Sequence, residues 1–132
     1  MTEEESKEAY ELADPELVKI IRKALENIRT YHEKQRQYSW FDSKPDGTML
    51  RQKVTALQRV GVYVPGGTAV YPSSVLMNIV PAKVAGVEEI IMLTPPGQAG
   101  KVTPNNLIAA NEDGATAIYT VGGAQENGAL AY

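Results

Sequence analysis

Residues 59–97 read RVGVYVPGGTAVYPSSVLMNIVPAKVAGVEEIIMLTPPG. An apolar run ends at a Pro-Gly-Gly corner, a stretch almost free of charge follows, and a second apolar run ends at Pro-Pro-Gly. The runs that begin at Val60 and Ile90 are short enough for buried strands. Between them Val75, Leu76, Ile79 and Val80 keep a helical period, Gly86 stands where a C-cap belongs, and Pro81 predicts a kink. A third run, AIYTVGGA from residue 117, repeats the pattern. Before it, Pro104 at a first-turn position, Leu107, Ile108 and Ala110, closed by Gly114, predict a shorter helix. Repeats 30 and 27 residues apart have the length of βα units, and parallel strands need such right-handed crossovers. The fold class is α/β, with helices flanking a parallel sheet.

Working toward the N-terminus, MLRQKVTALQRVGVYVP, residues 49–65, alternates imperfectly and predicts a two-strand lead-in or hairpin feeding the buried strand. WFDSKPDGTML, residues 40–50, carries a Pro45-Asp46-Gly47 turn signature and predicts a turn-rich break. Ahead of it, Asp14 and Pro15 form an N-cap and first-turn pair. Leu17, Ile20, Ile21, Ala24, Leu25 and Ile28 then predict a helix over 15–37, with an apolar stripe serving as core or docking surface. His32 is the only histidine, so it cannot join a second one in a metal site and is assigned a structural role. The expected organisation is an N-terminal helical segment, 1–47, and an α/β unit, 48–132.

A chain of 132 residues has the size of one domain and can bury about two-thirds of its unfolded surface. It contains no cysteine, which removes disulfides, thiolate nucleophiles and thiolate metal ligands. A net charge of −3, with no long run of Lys and Arg, gives no footprint for a phosphate backbone, so nucleic acid is not expected as a partner. The N-terminus is acidic where a signal peptide is basic, and no stretch approaches about 18 apolar residues, so a soluble cytoplasmic chain without a membrane partner is expected. Charge is concentrated in residues 1–59, which hold 11 Lys/Arg and 11 Asp/Glu. Residues 60–132 hold only Lys83, Lys101, Glu88, Glu89, Glu112, Asp113 and Glu126. So little charge cannot cover an isolated unit, and further protein packed against it, with self-association, is expected.

In open parallel sheets ligands bind outside the C-terminal ends of the strands, where glycine corners and helix N-terminal amides meet. Gly66-Gly67 and Gly122-Gly123 stand at that edge, flanked by Tyr63, a ring able to stack, and Gln125, an amide able to donate and accept. The chain has neither G-x-G-x-x-G nor a P-loop, and a bare Gly-Gly serves a tight turn more often than a ligand. Tyr63 equally fits a core aromatic with its hydroxyl at the rim, and Gln125 a plain helix start. No catalytic residue and no metal ligand can be assigned. From the residues alone the chain is a small-ligand edge without catalytic machinery, or a noncatalytic association module whose glycine corners are structural.

The blocks VGVYVPGGTAVYPSSVLMNIVPAKVAGVEEIIMLTPP, IYTVGGAQ and ALAY closely resemble the histidinol dehydrogenase family. That family carries a V-G-x-Y-[VI]-P-G-G block, a P-S-[ST]-V-L-M helix with P-A-x-x-A-G, and a V-G-G-A-Q block in this order. The likeness runs from Arg59 to Tyr132, and the helix and lead-in before it are also like the family's. The resemblance implies an incomplete Rossmann-like domain in a homodimeric, zinc- and NAD-dependent enzyme that oxidises L-histidinol to L-histidine through the aldehyde. It implies that Tyr63 and Gln125, with Gly66 and Gly67, contact the dinucleotide from the ends of adjacent strands facing one cleft. The family's G-P-G-N block, its Glu-His catalytic pair and its zinc ligands lie beyond Tyr132, so a chain truncated at its C-terminal end is expected. Such a chain is inactive alone, lacks zinc and binds NAD weakly if at all, with Kd about 1 mM. Its missing C-terminal portion is then its natural partner. Glu126, Asn127 and Gly128 depart from the small apolar residues of the family.

Overall fold

The computed structural model describes residues 2–66, 70–97 and 100–121. Helix α1, Glu3–Leu12, opens on a reciprocal cap: the Thr2 hydroxyl accepts the Glu5 N–H at 3.3 Å, and the Glu5 carboxylate accepts the Thr2 N–H at 2.8 Å. Three glutamates in its first turn complement the positive end of the helix. The sequence reading assigned no helix here. Helix α2, Pro15–Glu33, starts as predicted, with Asp14 accepting the Glu16 N–H at 2.9 Å. It stops four residues short of the predicted end, because Lys34 to Gln37 offer no apolar side chain to bury.

The stretch 40–50, expected as a turn-rich break, instead holds a strand and a tight turn. Strand β1, Trp40–Ser43, lies inside it and pairs antiparallel with β2, Met49–Gln52, in the register Trp40↔Gln52 to Ser43↔Met49. Pro45-Asp46-Gly47 is the turn of this hairpin, in which Lys44 N–H donates to Thr48 O at 2.8 Å and Asp46 accepts the Thr48 N–H at 2.8 Å. Every residue of both strands is exposed, so the hairpin stands clear of the core.

The α/β unit follows the predicted alternation: β3 Arg59–Tyr63, α3 Pro72–Val84, β4 Glu89–Thr94, α4 Pro104–Glu112 and β5 Ala117–Thr120. The strands run parallel in the order β3-β4-β5, with Val62, Met92 and Ile118 in one row across the sheet. Sequential right-handed crossovers put both helices on one face. That face is the core: Ile90, Met92 and Ile118 meet Val75, Leu76, Ile79, Val80, Leu107 and Ile108, all buried. Helix α3 contains Pro81, where a kink is expected, and continues through it to Val84. Gly86 and Gly114, at φ 93° and 72°, close α3 and α4 in the left-handed region that suits glycine best.

Helices α1 and α2 make a further layer outside the sheet helices, α2 against α3 and α1 against α4. The apolar stripe of α2 buries Ile21 and Leu25 in the common core, as its spacing predicted. Polar contacts gather at the C-terminal end of α4. Arg22 grips the Glu112 carboxylate with two donors at 2.7 and 3.0 Å, Tyr10 donates its O–H to the same group at 2.8 Å, and Arg29 reaches Asp113 at 3.4 Å.

Candidate ligand edge

The candidate edge is where β3 hands over to the corner that precedes α3. Alternation along β3 sends Val60 and Val62 toward the helices and Arg59, Gly61 and Tyr63 toward the opposite face. Tyr63 is therefore 52 % exposed, outside the core, in a row with Leu93 and Tyr119. Such near-continuous apolar strands ordinarily have both faces covered, and among the described residues the helices lie on one. Arg59 pairs with Glu89 on the neighbouring strand at the far end of this face.

Beyond Tyr63 the chain is pinned. Val64 is fully buried and donates its N–H to Leu93 O at 2.9 Å. Gly66 lies so close to the end of β4 that an added Cβ would stand 2.8 Å from both Pro95 O and Thr94 Oγ1. This gives the first glycine of the corner a reason in the protein's own packing, since no larger residue fits without shifting backbone. Asn106, in the first turn of α4 and fully buried, donates from Nδ2 to Pro65 O at 3.4 Å.

Two helix starts adjoin this edge. The N-cap residues of α3 and α4, Tyr71 and Thr103, make no side-chain capping bond, and neither first turn contains an acidic residue. The first-turn amides therefore lack the side-chain acceptors that α1 and α2 supply to theirs. The Ser74 N–H in the first turn of α3 donates to Tyr71 O at 3.0 Å, so what favours an anionic ligand at this edge is the positive end of each helix.

The shifted ionisations lie elsewhere. At the opposite end of α4 the Glu112 carboxyl is held below its usual range by the hydrogen bond from Arg22, against the opposing effect of burial. Tyr10 is pushed up to about 12, first by burial and then by its bond to Glu112. Asp113 is pushed up to about 6 by burial, which outweighs the attraction of Arg29 and Lys83. These groups hold helices together and face no ligand edge, so their shifts carry structural meaning only.

Of the residues assigned to the dinucleotide, Tyr63 and Gly66 stand at this edge, whereas Gly67 and Gln125, with Gly122 and Gly123, lie outside the described residues. The expectation of adjacent strands is corrected: β4 separates β3 from β5, the strand that leads toward Gln125. Among the described residues no three His, Asp or Glu side chains gather as metal ligands, so this part of the chain does not fit zinc. His32 sits in the last turn of α2 with its Nδ1 2.8 Å from Gln35 Oε1. Asn106 escaped the sequence reading, for an Asn after Pro104 looks like an ordinary helix start. The only sign was its place directly before the apolar Leu107-Ile108-Ala109-Ala110 run.

The family profile described as histidinol dehydrogenase matches residues 1–132. The chain is 61 % identical over 132 residues to a histidinol dehydrogenase of Bacillus subtilis (strain 168), and 55 % identical over the same length to one from Heliobacterium mobile. Each match takes in 100 % of this chain and 31 % of the relative. A crystal structure of histidinol dehydrogenase from Elizabethkingia anophelis superposes with a TM-score of 0.86 at 33 % identity, covering 98 % of this chain and 30 % of that one. The chain thus spans about a third of the length of the relatives it matches, and no helix among its described residues is long and apolar enough to cross a membrane. With a match along its whole length and the fold of a solved relative, the chain belongs to the histidinol dehydrogenase family.

Proposed function

We propose that the chain supplies part of the dinucleotide edge of an NAD-dependent histidinol dehydrogenase, a cytoplasmic homodimer that oxidises L-histidinol to L-histidine through the aldehyde. The observation that carries this reading is the corner after β3: Tyr63 half exposed at the strand's C-terminal end, followed by a glycine fixed against the end of β4. In this reading the Tyr63 ring and the corner backbone, with Gly67 and Gln125, hold the dinucleotide. The uncapped helix starts favour its phosphates.

In this reading zinc and the reacting groups come from protein outside this chain, which spans 31 % of the relative's length, and the chain by itself turns over no substrate. NAD binding by the 132-residue chain is then weak, about millimolar or roughly 4 kcal/mol. Self-association draws support from exposed Trp40, Phe41, Tyr63 and Tyr119. An NMR titration with NAD tests the reading. Saturable shifts at Val62 to Gly66 and around Gly122 to Gln125 are expected, whereas shifts confined to α2 overturn it. Histidinol-dependent NADH formation by this chain in zinc-supplemented buffer overturns the claim that it is inactive alone.

A further inference from the structure

Asn106 is a polar side chain buried beside apolar ones. It is 0 % exposed, and the four residues that follow it, Leu107 to Ala110, are buried as well. Its Oδ1 has no hydrogen-bond partner among the described residues, although burying an amide oxygen unpaired is unfavourable. A leucine there would avoid that penalty. What leucine cannot do is donate to the carbonyl that leaves β3.

That carbonyl belongs to the peptide joining Pro65 to Gly66. Because a trans peptide is planar, its C=O and N–H point in opposite directions, and no cis bond occurs among the described residues. Holding Pro65 O toward α4 therefore turns the Gly66 N–H away from α4, and this N–H makes no backbone hydrogen bond among the described residues. Val64 anchors the corner on one side through Leu93 O, and Gly66 abuts Thr94 and Pro95 on the other. Rotation of the intervening peptide is the freedom left, and Asn106 is the side chain bonded to it.

We propose that Asn106 is a positioning residue for the dinucleotide edge: its buried amide orients the Pro65–Gly66 peptide so that the Gly66 N–H is presented to an anionic ligand. This rests on the dinucleotide reading above.

The test uses the 132-residue chain with NAD as probe. Asn106→Leu removes the donor while filling the site, and Asn106→Ala removes it without adding bulk or charge. Leu25→Val, in α2 and remote from the corner, controls for general destabilisation. Both Asn106 variants are expected to move the Pro65 carbonyl-carbon and Gly66 amide resonances and to raise the NAD dissociation constant about ten-fold, as losing one hydrogen bond does. Leu25→Val lowers the unfolding midpoint and leaves both unchanged. Should Asn106→Leu fail to fold, Asn106→Ala supplies the same readings. If the unaltered chain binds and the variants bind within two-fold of it, or the Pro65 and Gly66 resonances stay in place, the positioning role is overturned. If the unaltered chain shows no NAD-dependent shift, the dinucleotide reading fails, and with it the ligand-presenting part of the proposal. Orientation of the corner peptide is still decided by the two resonances.

Discussion

Replacing Asp113 with asparagine makes this chain more stable at neutral pH than at acid pH relative to the unaltered protein. Asp113 caps α4 at the negative end of the helix dipole, its side chain is fully buried, and Arg29 reaches one oxygen at 3.4 Å while the other has no partner among the described residues. Burial raises its pKa from 3.8 to about 6. Because the folded value exceeds the unfolded one, the stability that goes with the protonated group is fully present below pH 3.8 and is lost as pH rises to about 6. At about 1.36 kcal/mol per unit, ionising Asp113 costs the fold on the order of 3 kcal/mol by pH 7. Asparagine never ionises, keeps the shape and retains an oxygen that accepts from Arg29, so it gives up only the charge on that bond, worth about 1–2 kcal/mol. Urea unfolding of both proteins at pH 4, 5, 6 and 7 isolates this group, because the other carboxylates are common to the pair. The stability difference, Asp113→Asn minus unaltered, should climb by about 2–3 kcal/mol from pH 4 to pH 7. A difference that stays constant across that range refutes the argument that desolvation dominates over Arg29.

Gly66→Ala drives a Cβ to 2.8 Å from Pro95 O and Thr94 Oγ1 and should cost about 1–3 kcal/mol in urea unfolding, whereas Gly61→Ala, with nothing within 4 Å, should cost less than about 1 kcal/mol. Tyr10 should ionise near pH 12 in a spectrophotometric titration, and Tyr10→Phe should remove that late step and destabilise the chain by about 1 kcal/mol as α1 loses its bond to Glu112. Ile108→Ala empties a fully buried site between sheet and helices and should cost about 2–5 kcal/mol. Its unfolding curve should keep the unaltered slope.

The sequence by itself determined the kind and order of the elements from residue 59 onward, because their signals are local. Apolar runs at a βα spacing, Pro104 at a helix start, and Gly86 and Gly114 at helix ends each act within a few residues of themselves, and the parallel pairing follows from the crossover length. Family membership was legible for a related reason: long blocks in fixed order need no coordinates. The start of α1 is legible too, because Thr2 and Glu5 stand at capping-box spacing. The rest depends on residues far apart in the chain. Only the tertiary structure placed β4 between β3 and β5, left the β1–β2 hairpin outside the core, and set α1 and α2 over α4 and α3. Gly66 reads in sequence as freedom for a ligand, yet its missing side chain is demanded by Thr94 and Pro95, about 30 residues away. Asn106 and Asp113 carry no local signal of a special role. Burial against Pro65 in one case and beside Arg29 in the other gives them different chemistry, since hydrogen bonding and ionisation answer to neighbours that only folding brings near.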